Sequence, residues 1–288
     1  MTAPGSWSFP PVMPALRSDE VHVWRARLDL VPRGPCSGQP ELSSDEIARA
    51  SRSVLERDRD RFVAGRRILR EILGRYLQRA PAKIDFTYNP YGKPQLRFND
   101  SDPPIRFNLA HSDGLAVYAI SRDREIGVDI EMVRDRVSSG EIADHFFTQI
   151  EISEFRALTK DKQNEGFFLW WSRKEAYLKA LGAGLSIPLD SFDVSLTPGT
   201  PMVLRSSDST RWTVRSFQPR IGYVGALVVE WAPFVLKLWD YATSGDMRSC
   251  KDGELMTQRD DFQLDHGLIA KPDADRPEQG MEERKNGH

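Results

Sequence analysis

The sequence predicts an α+β protein of two similar halves, each a small antiparallel sheet with packed helices, the two related by a pseudo-twofold. Three observations predict it. Apolar, β-branched runs of strand length occur in both halves. Each half also carries one long stretch with apolar residues at helical spacing. Clusters of Gly, Pro, Asn and Asp separate these runs.

In chain order, residues 1–18 hold Pro4, Pro10, Pro11 and Pro14 and read as an extended, mobile leader. VHVWRARLDL (21–30) alternates like a strand. Ser43 with Glu46 offers a capping box that opens a helix. A longer helix follows, with Phe62, Ile68, Leu69, Ile72, Leu73 and Tyr76 on its apolar face. YNPYGKPQL (88–96) is turn chemistry. IRFNLAHS (105–112) and LAVYAIS (115–121) read as strands joined by the tight Asp113-Gly114 turn. IGVDIEMV (126–133) reads as another strand. Thr148 with Glu151 is a second capping box, and FFLWWSRKEAYLKALG (167–182) is a helix stopped by Gly182 and Gly184. SFDVSL (191–196), TRWTVRSF (210–217) and YVGALVVEW (223–231) complete the strands.

The halves divide as 19–122 and 123–235. Residues 236–288 read as an acidic, disordered tail. From position 240 onward there are 12 Asp+Glu, 7 Lys+Arg and only five Leu, Ile, Val or Phe residues. So few apolar groups cannot offset the entropy of ordering the chain.

Composition excludes several classes. With 288 residues, 40% of them hydrophobic and 28% charged, the chain is globular and has ample core. A net charge of -2 gives no sign of a general nucleic-acid binder. No apolar run approaches membrane-spanning length, and the N-terminus lacks the basic and apolar regions of a secretory signal. Cys36 and Cys250 cannot form a disulfide framework or a thiol-rich metal site. A reducing cytoplasm fits best.

Four features carry candidate chemistry. Asp129 and Glu131 sit at i and i+2 of a strand, so both carboxylates point to one face. Such a pair repels unless a cation lies between them, and Mg²⁺ or Mn²⁺ suits oxygen ligands. Taken alone, D-x-E reads more simply as a sheet edge with both acids in water. Glu175 and Lys179 lie four apart on one helix face. They read as a metal ligand or base beside a phosphate-neutralising ammonium, or as a surface ion pair. His111 ends a strand, where an imidazole can reach a cleft, with Asn108 and Ser112 nearby; a His satisfied at the strand end is the alternative. Residues 52–79 hold nine arginines against four acids. Arg66 and Arg67 are expected to face outward there and, with Lys93, to hold phosphates; a solvated helix face is the alternative.

The ordered set of motifs resembles the 4′-phosphopantetheinyl transferase superfamily, in its long, monomeric type with two similar halves. The runs that carry the resemblance are YGKP (91–94), FNLAHS (107–112), IGVDIE (126–131) and FFLWWSRKEAYLKALGAGL (167–185). The F-x-x-x-W-x-x-K-E-A-x-x-K-A pattern over 167–180 is the most specific. The resemblance spans residues 20–231.

It implies Mg²⁺-dependent transfer of the phosphopantetheine arm of coenzyme A to a serine of an apo acyl or peptidyl carrier protein, with release of adenosine 3′,5′-bisphosphate. Asp129, Glu131 and Glu175 match the family's metal carboxylates. His111 and Lys179 match its phosphate-handling and proton-handling pair. Lys93 matches a lysine on the coenzyme A phosphates, with Ser112 in the same pocket. Arg66 and Arg67 fall on the 3′-phosphate and adenine side. Ala110 departs from the Ser or Thr that many members carry, so one hydroxyl contact to coenzyme A is missing. Glu175 is the expected base. The expected partners are the carrier protein and coenzyme A, with neither nucleic acid nor membrane, and the expected state is a monomer. The rivals are a Mg²⁺-dependent nuclease and a non-catalytic carrier-binding module. An acidic carrier is expected to dock over residues 146–184, steered by Lys160, Lys162, Arg173 and Lys174. Phe167, Phe168, Trp170 and Trp171 there read equally as anchors or as core.

Overall fold

The computed structural model describes residues 6–31, 42–97, 102–134, 139–194, 204–205, 211–231 and 233–241. Cys36, Cys250 and the expected acidic tail beyond Tyr241 lie outside the described residues.

The same order of elements runs twice. The first half has strand β1 (Glu20–Arg27), helices α1 (Ser44–Ala50) and α2 (Glu56–Leu77), a small ladder of β2 (Phe86–Tyr88) and β3 (Pro94–Leu96), and strands β4 (Ile105–Ser112) and β5 (Leu115–Arg122). The second half has β6 (Ile126–Met132), helices α3 (Ser139–Phe146), α4 (Gln149–Arg156) and α5 (Lys160–Leu181), a small ladder of β7 (Asp193–Val194) and β8 (Leu204–Arg205), and strands β9 (Trp212–Phe217) and β10 (Tyr223–Glu230). The sheets repeat as well, in the orders β1-β5-β4 and β6-β10-β9, all antiparallel. Both capping boxes form: the hydroxyls of Ser43 and Thr148 accept the backbone N–H of Glu46 and Glu151, and each glutamate accepts the cap N–H in return.

One strand departs from the expected plan. β11 (Val235–Asp240) returns to the first sheet and pairs with β1 in parallel. The folded body therefore continues past residue 235, where the tail was expected to begin. Its alternation was too short to stand out beside the acidic run that follows. The leader also joins the sheet. Ser8 bridges Trp239, and the Trp7 ring packs against Phe217 and under the Arg25 guanidinium.

Three apolar layers stack the elements. α2 covers one face of the first sheet through Ile68, Leu69, Ile72 and Leu73 against Trp24, Tyr118 and Ile120. The other face, with Val21, Val23, Val117 and Ala119, meets Val128, Ile130, Leu227 and Val229 of the second sheet. The far face of that second sheet, with Ala226 and Val228, packs on α5. Sheets covered on both sides explain why β5 and β10 read as nearly unbroken apolar runs instead of alternating.

The outer edge of β6 lies along β4, and polar side chains of the first half satisfy its backbone. Lys93 Nζ donates to Ile126 O at 3.2 Å, Val128 N donates to Asn108 Oδ1 at 2.9 Å, and Met132 N donates to Ser112 Oγ at 3.1 Å. A buried strand edge needs such partners.

Candidate active site

The two helix and strand motifs meet at a glycine. Even-numbered residues of β6 point into the layer between the sheets, so Gly127, Asp129 and Glu131 point to α5. A Cβ on Gly127 would overlap Ala176 O and Ala180 N, because the α5 backbone lies directly on the strand at that point. Ala176 and Ala180 are themselves buried and small. This contact brings Glu175 and Lys179 over Asp129. Sequence reading passed over Gly127, although a glycine inside an apolar strand signals close backbone approach.

Asp129 is only 5% exposed, so the reading of D-x-E as a water-facing edge fails. Lys179 Nζ donates to its Oδ1 at 2.7 Å, while its Oδ2 is buried with no hydrogen-bond partner. Glu131 is half-buried, and its Oε2 accepts from Ser112 Oγ at 2.9 Å. Ser112 therefore orients an acid of the site from β4. Glu175 is half-buried on α5.

The electrostatics follow from crowding three carboxylates around one ammonium. Burial pushes the Asp129 carboxyl above its ordinary range, against the pull of Lys179. Glu131 is raised by burial and then by the Asp129 charge. Glu175 is raised by burial, with Asp129 adding to the shift and Lys179 opposing it. His111, exposed at the end of β4, is held below the ordinary imidazole range, first by desolvation and then by Lys179 and Arg61. The neutral ring is the form that accepts a proton or donates one N–H.

Arg66 and Arg67 do not face outward; both are buried. Arg66 Nε donates to Glu46 Oε1 at 2.6 Å and Nη2 donates to Tyr88 Oη at 3.2 Å. α1 and the β2–β3 ladder cover the helix face that looked solvated in sequence. Lys93 is also committed. Beyond Ile126 O it donates to Ala180 O at 3.3 Å, and it pairs with Glu125 at 3.5 Å. Asn89 Nδ2 donates to Gly182 O at 2.7 Å. The YGKP loop thus satisfies the carbonyl end of α5 from outside the helix.

The expected steering charges divide in the same way. Lys160 and Lys162 are exposed, whereas Arg173 and Lys174 are buried. Lys174 pairs with Glu151 at 2.8 Å and donates to Leu189 O and Phe192 O. Phe167, Phe168 and Trp170 are core, and Trp171 is half-buried. Phe146, whose ring meets Trp171 of α5, and Ile150 on α4 are exposed.

Among the described residues, no group of three or more His, Cys, Asp or Glu side chains stands close enough to hold a metal ion, and no helix is long and apolar enough to cross a membrane.

Comparison with known proteins bears on the family of the whole chain. Residues 125–228 match the 4′-phosphopantetheinyl transferase superfamily, and residues 39–123 match the 4′-phosphopantetheinyl transferase N-terminal family. The chain is 37% identical over 236 residues to the 4′-phosphopantetheinyl transferase HetI of Nostoc sp., covering 82% of this chain and 98% of that protein. It is 33% identical over 168 residues to the 4′-phosphopantetheinyl transferase Sfp of Bacillus subtilis, covering 58% of this chain and 72% of the relative.

Proposed function

The chain belongs to the 4′-phosphopantetheinyl transferase superfamily and is an enzyme of that activity; on that premise we propose that it moves the phosphopantetheine arm of coenzyme A to a carrier-protein serine at the β6–α5 contact, with help from a divalent cation. The observation that carries this reading is the packing of Gly127 on Ala176 and Ala180, which sets Glu175 and Lys179 over Asp129.

Carboxylate oxygens are the donors a hard cation takes, but in this structure the three acids are not gathered closely enough to hold one. Asp129 Oδ2 is buried and unpartnered, and each of the other two carboxyls is pushed up by burial first and then by the Asp129 charge. Asp129, Glu131 and Glu175 would hold the ion, with the Lys179 ammonium now on Asp129 Oδ1 turning toward the phosphates. The cation, Mg²⁺ or Mn²⁺, would neutralise the coenzyme A diphosphate and orient it.

In the reaction the serine Oγ bonds to the β-phosphorus. The bond from that phosphorus to the oxygen shared with the α-phosphorus breaks. Adenosine 3′,5′-bisphosphate leaves with that electron pair. A serine hydroxyl needs a base at neutral pH, and the raised carboxyl of Glu175 is suited to take its proton. Lys179 would neutralise phosphate oxygens and supply a proton to the leaving group, and the neutral His111 ring would donate an N–H to a phosphate oxygen. Ser112 acts by orienting Glu131. Lys93, Arg66 and Arg67 serve this reading as supports of the fold, since Lys93 and Arg66 already spend their donors on protein acceptors.

The carrier approaches beside α5, where Phe146 and Ile150 offer apolar anchors and Lys160 and Lys162 attract an acidic partner. The enzyme acts as a monomer in the cytoplasm. Incubation with coenzyme A, Mg²⁺ and an apo carrier tests the reading. The carrier should gain the mass of one phosphopantetheine group. No gain over a panel of apo acyl and peptidyl carriers would overturn it.

A further inference from the structure

His111 and Ser112 stand where the β4–β5 turn puts them, and that turn is fastened from outside the sheet. Asp113 adopts a left-handed φ of 52°, and Gly114 follows it. A Cβ on Gly114 would overlap Asp29 Oδ2, so the turn lies flush against the segment after β1. Leu28 N donates to Gly114 O at 2.8 Å. Across this seam reaches Arg61 of α2. Its Nε and Nη2 donate to the two oxygens of Asp29 at 2.8 and 2.9 Å, and its Nη1 donates to Asp113 Oδ1 at 2.9 Å. One planar guanidinium therefore ties α2, the segment after β1 and the turn together.

The side chains of Asp29 and Asp113 are 53% and 39% exposed, so water screens both pairs and their contribution to stability is small. Their geometric consequence is larger. The turn they hold carries His111, and with it Ser112, whose hydroxyl orients Glu131 at 2.9 Å.

We propose that Arg61 is a positioning residue for the transfer reaction: by clamping Asp29 to Asp113 it holds the β4–β5 turn so that His111 meets the diphosphate. The proposal rests on the reading of His111 as a group that contacts substrate. Three of the five N–H donors of Arg61 are committed to the two aspartates, so its part in the reaction is to hold the turn.

A double-mutant cycle of Arg61→Ala and His111→Ala tests it, read as kcat, KM for coenzyme A and melting temperature. Arg61→Ala should lower kcat by about 10- to 100-fold, the scale of a misplaced reacting group. KM for coenzyme A and the melting temperature should change little. His111→Ala should lower kcat at least as far, and the double variant should match it to within about 2-fold, because both changes remove one unit. Arg61→Lys should stay close to Arg61→Ala, since an ammonium cannot reproduce the three-donor fork. Should Arg61→Ala fold poorly, Asp29→Asn weakens the same clamp with the arginine in place, and the same pattern is expected.

Full rescue by lysine, or additive losses in the double variant, overturns the clamp. So does an Arg61→Ala enzyme as fast as wild type beside a slow His111→Ala enzyme. A fast His111→Ala enzyme instead overturns the role given to the histidine, and the clamp's function falls with it.

Discussion

α2 and α5 are both 22 residues long, and counted from their first residues they carry the same charges at the same places: Arg70, Glu71 and Arg75 in one, Lys174, Glu175 and Lys179 in the other. The first of each trio has the same fate. Arg70 and Lys174 are buried against the capping-box glutamates Glu46 and Glu151, joining each long helix to the short one before it.

The other two diverge. In the first half, Tyr241 Oη donates to Glu71 at 2.6 Å, and the Arg75 guanidinium lies over the rings of Trp24 and Tyr241. The strand beneath offers His22 and Trp24, both within hydrogen-bond reach of Tyr76 Oη. In the second half the strand offers a glycine and two acids, and three carboxylates share Lys179. The two regions share a framework. The residues that the facing strand presents decide whether the seam closes as packed core or stays a charged, strained site.

The largest expected effect separates the two glutamates. Glu175→Gln should lower kcat by about 10²- to 10⁴-fold, the range for loss of a general base, while Glu71→Gln leaves kcat within about 2-fold. Steady-state rates with an apo carrier check it. Similar losses in both variants would show that the first-half seam also takes part in the reaction.

Acid should next weaken the closed half. Burial lowers the His22 pKa to about 4, against the pull of Glu20. A depressed imidazole means that folding favours the neutral ring. Its contribution is complete above pH 6.5 and is lost as pH falls from there toward 4, by up to about 3 kcal/mol. Asp129, Glu131 and Glu175 have the opposite sign: raised carboxyls bind protons more readily in the folded state, so acidification from neutral pH relieves them. Urea unfolding between pH 7 and 4.5 should therefore show less acid loss in His22→Gln than in wild type. Parallel curves for the two proteins would remove His22 as the source.

Gly127→Ala should cost about 1–3 kcal/mol, as overpacking does, and should lower kcat by moving α5 off Asp129. Gly65, on α2, has room for a Cβ, with its nearest neighbour at 3.7 Å, so Gly65→Ala should be tolerated. Thermal melts of the pair measure the contrast.

The smallest effect is Tyr241→Phe, which deletes the bond to Glu71 and should cost about 1 kcal/mol with activity unchanged. A loss of activity without loss of stability would link the closed seam to turnover.

Much of this was present in local residue order. Asp113-Gly114 specified the β4–β5 hairpin, and the two capping boxes marked α1 and α4, because turns and caps are contacts between residues a few positions apart. The period of a strand placed Asp129 and Glu131 on one face, and the period of a helix placed Glu175 and Lys179 together. Those two periodicities paired the acids and the lysine, and the ordered set of motifs, through the family it resembles, singled them out as candidates.

Which charges face water was not decided locally. Arg66, Arg67, Arg173 and Lys174 looked like surface charge, yet all four are buried. The acceptors seen for Arg66 and Lys174 come from Glu46, Tyr88, Glu151, Leu189 and Phe192, on other elements. Likewise local residue order held no sign that Lys93 donates to the carbonyls of Ile126 and Ala180. The parallel pairing of β11 with β1 closes a loop of more than two hundred residues, and short apolar alternation carries no record of its partner. By itself the sequence determined the long helices and most of the strands, β11 excepted, because these follow from periodicity and from the residue types present. Tertiary structure alone decided which seam closed and which stayed reactive, because a charge becomes a clamp or a catalyst only through the neighbours that long-range packing brings to it.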